Sequence, residues 1–333
     1  MENLKEAMYW EGLGGGRVEC KLCPHNCRIA DGKRGLCLVR KNQGGTLYTI
    51  IYGRVTSVAM DPIEKKPLYH FYPGRAILSL GTMGCNFACK FCQNYTIAQM
   101  EAPTRPLSPE EAVRAARERD SIGIAYTYNE PIIWYEYVLD TAKLAHENGL
   151  KNVLVTNGYI RQEPLDNLLP HIDALNIDIK SMRPDFYTDI CRGSMDPVLE
   201  TCKTVAGAHP LVEITNLVIP GYNDTDEDFE KLARWVAENM GRHTPAHISA
   251  YFPCYKLQAE PTPLATLERA FEVFAKHLDH VYLGNVAAHD GSNTTCSSCG
   301  AVLIERKGYT TEILNLTGSG KCTECGADNN IVM

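Results

Sequence analysis

No apolar run in this 333-residue chain approaches the ~20 residues that a membrane-spanning helix needs. The first segment, Met1–Arg17, is mixed and charged. It has no apolar core followed by a small-residue cleavage site, so a secretory signal is not expected. Positive charge is also in short supply. The 33 Lys and Arg residues face 40 Asp and Glu, for a net charge of −7. That balance argues against sequence-independent nucleic-acid binding, which needs a basic surface to displace counterions. A local basic pocket remains compatible with it. With 44% hydrophobic residues, the chain suits a soluble globular protein. Its length allows one large domain with appendages, or two ordinary ones.

Cysteine is abundant, at 14 residues, and clustered. Cys20, Cys23, Cys27 and Cys37 form one group. Cys85, Cys89 and Cys92 form a second, and Cys296, Cys299, Cys322 and Cys325 a third. Cys191, Cys202 and Cys254 stand alone and read as packing residues, with Cys254 the closest to a strand end. Close pairs let one short loop present several thiolates to one ion or cluster, whereas a reducing compartment would not keep disulfides. The pattern predicts metal centres in a cytoplasmic protein.

A β-rich stretch, Thr46–Met60, leads into a loop from Asp61 to Pro67. From Ala76 short apolar runs alternate with helical stretches. The runs are Ala76–Leu80, Ile122–Tyr126, Val153–Val155, Ala174–Ile179, Leu217–Ile219 and His247–Phe252. Helices are expected after Ser108, which forms a capping box with Glu111, and over Ile132–Asn148, Thr225–Met240 and Leu264–His277. Such alternation predicts an α/β fold, a partial (β/α)6 TIM-like barrel; a doubly wound open sheet is the alternative. The expected organisation is an N-terminal four-cysteine extension over 1–75, the partial barrel over 76–290 and a C-terminal four-cysteine, zinc-ribbon or rubredoxin-like knuckle over 291–333. A metal staple is the usual remedy for so small a terminal unit.

The loop Gly84-Cys85-Asn86-Phe87-Ala88-Cys89-Lys90-Phe91-Cys92-Gln93-Asn94 follows the first barrel strand. Its Cys-x3-Cys-x2-Cys spacing offers three thiolates to three irons of a cubane, and the fourth iron is left open. An open coordination position suits catalysis, and the C-terminal end of a barrel strand is where such barrels place chemistry. On this motif the chain resembles the radical S-adenosylmethionine (SAM) superfamily. The resemblance implies that Cys85, Cys89 and Cys92 hold a 4Fe–4S cluster, and that SAM binds the open iron. Reductive cleavage then gives a 5′-deoxyadenosyl radical.

Other segments extend the likeness. Tyr128-Asn129-Glu130-Pro131 stands where superfamily members often carry a Gly-Gly-Glu-Pro-like segment that binds the SAM amino group. Thr156-Asn157-Gly158 and Asp178-Ile179-Lys180 are similar to segments near the SAM ribose and carboxylate in pyruvate formate-lyase-activating enzymes. A Lys pairs with a carboxylate and an Asp accepts from hydroxyls. Val218-Ile219-Pro220-Gly221-Tyr222-Asn223-Asp224 resembles the stretch that packs on adenine, and His247 matches a histidine near the SAM site. The implied SAM-binding set is therefore Phe91, Asn94, Asn129, Glu130, Thr156, Asn157, Asp178, Lys180, Ile219 and His247. Lys65, Lys66 and His70 read equally as a substrate mouth or, for the lysines, a solvated face.

Asp61 to Gly74, together with Cys20-Lys21-Leu22-Cys23-Pro24-His25-Asn26-Cys27, looks like the AmmeMemoRadiSam system radical SAM enzymes. That group's name implies AMMECR-like and Memo-like companion proteins. The two Cys-x2-Cys-Gly knuckles at Cys296/Cys299 and Cys322/Cys325 read as a closed zinc site, with each glycine permitting a tight turn. Cys20, Cys23, Cys27 and Cys37 suit either structural zinc or an auxiliary 4Fe–4S cluster. The expected function is an anaerobic radical SAM enzyme, fed by ferredoxin or flavodoxin, acting on an unidentified small molecule or protein. A glycyl-radical-enzyme activase is the alternative, and an iron–sulfur electron-transfer protein without SAM chemistry the second. An RNA-modifying enzyme is disfavoured by the acidic balance.

Overall fold

A computed structural model of the chain describes residues 4–286 and 290–333. The predicted junction at 290–291 adjoins residues 287–289, which lie outside the described residues. An eight-stranded sheet forms the centre. Its strands are β1 (Ser57–Pro62), β2 (Ala76–Gly81), β3 (Gly123–Tyr126), β4 (Lys151–Thr156), β5 (Ala174–Asp178), β6 (Leu211–Val218), β7 (Ala246–Ala250) and β8 (Val281–Gly284). They lie side by side in chain order. From β2 to β8 every pairing is parallel, and β1 pairs antiparallel with β2.

The six predicted strands are all present. β8 is a further parallel strand beyond those six, and β1 brings part of the N-terminal segment into the same sheet. Helices α1 (Pro109–Glu118), α2 (Tyr135–Glu147), α3 (Gln162–Leu168), α4 (Asp196–Ala206), α5 (Asp226–Asn239) and α6 (Leu264–Phe274) lie in the crossovers. Ser108 and Thr225 each form a capping box, the second with Asp228, which fixes where α1 and α5 begin. α3 and α4 were not among the expected helices. The predicted start of α2 at Ile132 is a 3-10 turn, Pro131–Trp134, with Pro131 in its first position.

Strand alternation gives the sheet two different faces. Leu78, Leu80, Ile124, Leu154, Leu175, Ile177 and Ile214 join the main core with the helices. On the other face Ile77, Ala125, Val153 and Ala174 pack on Ile63, Leu68 and Phe71, so the segment after β1 plugs one end. Towards the strands' C-terminal ends that face turns polar: Ser79, Thr127, Asn176, Thr215 and Ser249 are all buried there. Polar groups inside a sheet need partners, and a cavity for a polar ligand is one reason to keep them.

The N-terminal residues form small antiparallel sheets, including Trp10–Gly14, Arg17–Cys20 and Arg28–Ile29. They dock through a buried ion pair between Arg40 and Glu136 of α2. The C-terminal residues form a three-stranded sheet, Thr294–Thr295, Val302–Lys307 and Thr310–Ile313, with its own small core around Cys296, Leu303, Ile304 and Cys322. Among the described residues no helix is long and apolar enough to cross a membrane.

Candidate active site

The loop after β2 carries Cys85, Cys89 and Cys92, and every neighbouring crossover grips it. Asn129, just after β3, accepts from Thr82 N at 3.0 Å and donates to Gly84 O at 2.9 Å. Asn94 donates to Tyr128 O at 2.6 Å. From the loop after β4, Asn157 Nδ2 lies 3.8 Å from Cys85 Sγ and donates to Asn86 Oδ1 at 2.8 Å. Ala88 N and Lys90 N donate to the carbonyls of Cys191 and Ile190. Lys90 O in turn accepts from Lys256 N and Leu257 N, and Tyr95 stacks on Tyr255. The loop is therefore shaped by backbone and side-chain partners from four other segments.

Glu130 is the hub behind it. The carboxylate is 3% exposed and accepts from Thr156 Oγ1 at 2.7 Å, Asn157 N at 2.8 Å and Ile132 N at 3.0 Å. Burial raises its pKa to about 7, against the pull of those donors. It thereby holds the turn that presents Asn157 to Cys85. Asp178, the last residue of β5, pairs with Lys180 at 2.7 Å. Burial opposes the charge on Lys180, but Asp178 and Cys89 hold its pKa well above the usual lysine value. Lys180 Nζ stands 5.8 Å from the centre of the Phe91 ring, so a cation and an aromatic face flank the cysteine loop.

The structure thus gathers Cys85, Cys89, Cys92, Phe91, Asn94, Asn129, Glu130, Thr156, Asn157, Asp178 and Lys180. Among the described residues, no hydrogen bond or ring contact joins His247 or Ile219 to the cysteine loop. His247 Nε2 is bound to Glu213 Oε2 at 2.6 Å, and its ring meets Tyr69 and Tyr282. The reason is register: His247 lies near the start of β7, whereas the crossover that reaches the loop follows the strand's end. Ile219 is fully buried in the main core. His70 is likewise no part of a mouth. It is fully buried, with Nδ1 on Asn329 O at 3.0 Å and Nε2 on Tyr282 Oη at 2.7 Å.

Lys65 and Lys66 separate. Lys65 is half-exposed and pairs with Asp61 at 2.9 Å, whereas Lys66 is buried and pairs with the other oxygen of Asp61 at 2.6 Å. Lys66 also lies 4.7 Å from the centre of the Tyr128 ring, whose hydroxyl binds Asp61. The Asp61–Lys66–Tyr128 cluster escaped sequence reading, because adjacent lysines in a loop look solvated. The sequence signal was Tyr128 standing where superfamily members often carry glycine, and the structure holds it at φ +72°. Cys191 also escaped it. This fully buried thiol interacts with Cys89. Cys254 Sγ lies 3.6 Å from Cys92 O, and Cys202 is core.

All fourteen cysteines are free. Among the described residues, the ligand atoms of Cys296, Cys299, Cys322 and Cys325 all lie within 4.8 Å of one another. Their sulfurs approach to 3.6 Å (Cys296–Cys325) and 3.7 Å (Cys299–Cys322). Asn329 Nδ2 adds a hydrogen bond to Cys296 Sγ at 3.6 Å. This group can hold a metal. The Cys85 loop is not drawn together in that way, which suits a cluster whose cysteines bind separate irons. Its three thiols, with no fourth on the loop, fit a 4Fe–4S cluster.

A profile of the radical SAM superfamily matches residues 80–236. An uncharacterized protein of Methanocaldococcus jannaschii, MJ0808, is 47% identical over 336 residues, covering 99% of this chain and all of that protein. The pyruvate formate-lyase 1-activating enzyme of Escherichia coli K12 is 26% identical over 162 residues, 46% of this chain and 66% of that enzyme. The benzylsuccinate synthase activating enzyme of Thauera aromatica is 23% identical, over 57% of this chain and 58% of that one. In fold, a radical SAM methyltransferase from Sphaerobacter thermophilus aligns with a TM-score of 0.52 at 18% identity, over 70% of this chain and 71% of that one. With the cysteine loop at the head of the parallel sheet, these findings show that the chain belongs to the radical SAM superfamily and is an enzyme, with pyruvate formate-lyase-activating enzymes among its relatives.

Proposed function

We propose that the chain binds a 4Fe–4S cluster on Cys85, Cys89 and Cys92 and SAM beside it, and generates a radical that abstracts hydrogen from a small molecule or a protein. The observation that carries this reading is the convergence on one loop of Asn157 at Cys85, Lys180 beside Phe91 and Asn129 at Gly84. A cluster held there by Cys85, Cys89 and Cys92 would supply one-electron reduction of SAM, the chemistry that makes a radical from it. The chain's own residues do the rest. Glu130 fixes the Thr156-Asn157 turn, Asn129 and Asn94 tie the loop to the β3 crossover, and the Asp178–Lys180 pair offers opposite charges to ribose and carboxylate. The seven parallel strands, β2 to β8, are read as a partial barrel, with residues 1–75 and 291–333 as metal-bearing appendages. The compartment is cytoplasmic, and the electron comes from a ferredoxin or flavodoxin.

A glycyl-radical-enzyme activase is the second reading, favoured by the activating enzymes among the relatives. The small-molecule or companion-protein reading stands ahead of it. The cysteine-rich appendages add substrate and redox demands that a backbone activase need not meet, and AMMECR-like and Memo-like proteins are the companions to try first. At the C-terminal site, tetrahedral Zn–S bonds of ~2.3 Å require S–S separations of about 3.8 Å, and 3.6 and 3.7 Å are found. Zinc is therefore the proposed occupant. The test is anaerobic incubation of reconstituted protein with dithionite and SAM, scored for 5′-deoxyadenosine and methionine. Wild type is expected to form both and Cys89→Ala neither. If the loaded wild type cleaves no SAM, even with candidate companions present, the reading fails.

A further inference from the structure

Three cysteine groups within one chain provide an internal scale for metal type. The C-terminal four crowd their sulfurs as a single tetrahedral ion demands. The Cys85 loop does not, as befits a cluster that spreads its thiolates over separate irons. Cys20, Cys23, Cys27 and Cys37 fall with the second kind. Among the described residues they are absent from the groups whose ligand atoms lie within 4.8 Å of one another. Yet all four line one small cavity with Leu22, Ile29 and Ile133, and Cys23 feels the charge of the other three. Four thiols that line one cavity without closing to single-ion distances can each take one iron of a cubane.

Its position has a direct relation to the catalytic loop. A Cβ on Gly84 would stand 2.5 Å from Cys37 O and 2.8 Å from Val39, and Gly84 has φ +92°. The cysteine-bearing turns therefore touch, and only glycine allows it. Asn86, the residue after Cys85, lines the N-terminal cavity itself and accepts from Asn157 on its other side. Its backbone carbonyl meets His25 Nε2 at 2.6 Å. Arg40 Nη1 lies 3.6 Å from Cys20 Sγ, offering a buried cation to an anionic centre. On the outer side Cys27 is partly exposed, Leu36 is 66% exposed and Lys33 is exposed, so a donor can approach.

We infer that Cys20, Cys23, Cys27 and Cys37 ligate a second 4Fe–4S cluster that relays electrons from a low-potential one-electron donor protein to the cluster on Cys85, Cys89 and Cys92. Four protein thiolates close the site, so it binds neither SAM nor substrate. One electron enters, the N-terminal centre is reduced by one unit, and it is reoxidised as the same electron moves on. No atom or proton is exchanged. The cluster assignment stands by itself, and the relay rests on the proposed role of the Cys85 loop.

The test is metal and acid-labile sulfide analysis of anaerobically reconstituted protein, wild type against the Cys85→Ala/Cys89→Ala/Cys92→Ala variant. Two cubanes give about eight irons per wild-type chain and about four in the variant. Retained C-terminal zinc and far-UV circular dichroism report folding of the variant. Iron-free variant with two zinc ions per chain overturns the inference but leaves the SAM-site reading intact. Four irons in both proteins supports the N-terminal cluster and overturns that reading instead. A reciprocal Cys23→Ser/Cys27→Ser protein is expected to lose about four irons and keep a SAM-induced change in its electron paramagnetic resonance spectrum. Reduced wild type is expected to show spin–spin broadening absent from both variants. Sharp, merely additive signals overturn the relay.

Discussion

The pair Arg40–Glu136 joins the N-terminal segment to α2, and both side chains are 1% exposed. Arg40 also donates to Met8 O at 2.7 Å, and Glu136 Oε1 accepts from Met8 N at 2.7 Å. Arg40→Met would leave the carboxylate buried with one backbone donor, and breaking a buried pair from one side costs about 3–5 kcal/mol. Glu136→Gln strands the guanidinium at similar cost. In the double variant neither member of the pair carries a charge. The amide introduced by Glu136→Gln would still accept from Met8 N, leaving chiefly Met8 O unmet, at about 1–3 kcal/mol. The double variant is therefore expected to be more stable than either single. Urea unfolding at equal iron and zinc loading measures this, since bound metal itself shifts stability. Trp134, whose Nε1 donates to Ile51 O at 2.7 Å, is a reporter at the junction. With m of about 3 kcal/mol/M, each single variant lowers the midpoint by about 1 M or more. A double variant as unstable as the sum of the singles would refute the coupling.

Glu130→Gln replaces an acceptor oxygen with an amide among three donors, so about 1–3 kcal/mol of stability and part of the SAM affinity are expected to go; urea midpoints and isothermal titration with SAM check both. Gly84→Ala forces a Cβ towards Cys37 O at φ +92°, and strain of about 1–3 kcal/mol with reduced iron content is expected, read by thermal melting and iron analysis. Cys322→Ser is expected to release one zinc while sparing iron, by mass-spectrometric metal analysis. His70 gives a pH prediction. Burial, then the charges of His280 and Arg306, depress its folded pKa below the unfolded value of 6.5. The unfolded chain takes the proton first, so its stability contribution is present above 6.5 and lost as pH falls below it, at up to about 1.4 kcal/mol per pH unit. His70→Gln is expected to remove that part of the slope in urea midpoints between about pH 5 and 8.

The catalytic loop was legible because its chemistry and its place are both local. Cys85, Cys89 and Cys92 lie within eight residues, directly after an apolar run, and parallel α/β folds gather strand-end loops at one edge. Glu130, Asn157 and Lys180 came instead from the resemblance to radical SAM segments, which also follow strand ends. β8 was not read as a strand: Val281–Gly284 is short and lies just before the expected end of the barrel at 290. β1 was visible as β-rich sequence, but nothing local told whether it would pair with its own hairpin or, as it does, with β2. The positions of His247 and Lys66 depend on register and on burial of a loop, and both are tertiary facts.

The metal groups show the same division. Spacing along the chain says that Cys20-x2-Cys23 and Cys296-x2-Cys299 are alike, since both are pairs two residues apart with a second half elsewhere. What separates them is the distance between sulfurs, and that is set by the turns. At the C-terminal knuckles Gly300 and Gly326, at φ +76° and +77°, curl each loop so that two pairs close on one point. In the N-terminal group Cys37 comes from a separate turn held by Gly35, whose absent Cβ leaves room beside Ile29 and Cys27. That turn is closed by its own hydrogen bonds, Gly35 N to Arg40 O at 2.8 Å and Leu38 N to Gly35 O at 3.0 Å, and the Cys37 carbonyl packs against Gly84. The N-terminal group and the catalytic loop thus meet where Cys37 O packs against Gly84 and Asn86 lines the N-terminal cavity. A substitution that moves Cys37, such as Gly84→Ala, should perturb both centres together, whereas Cys322→Ser should perturb neither.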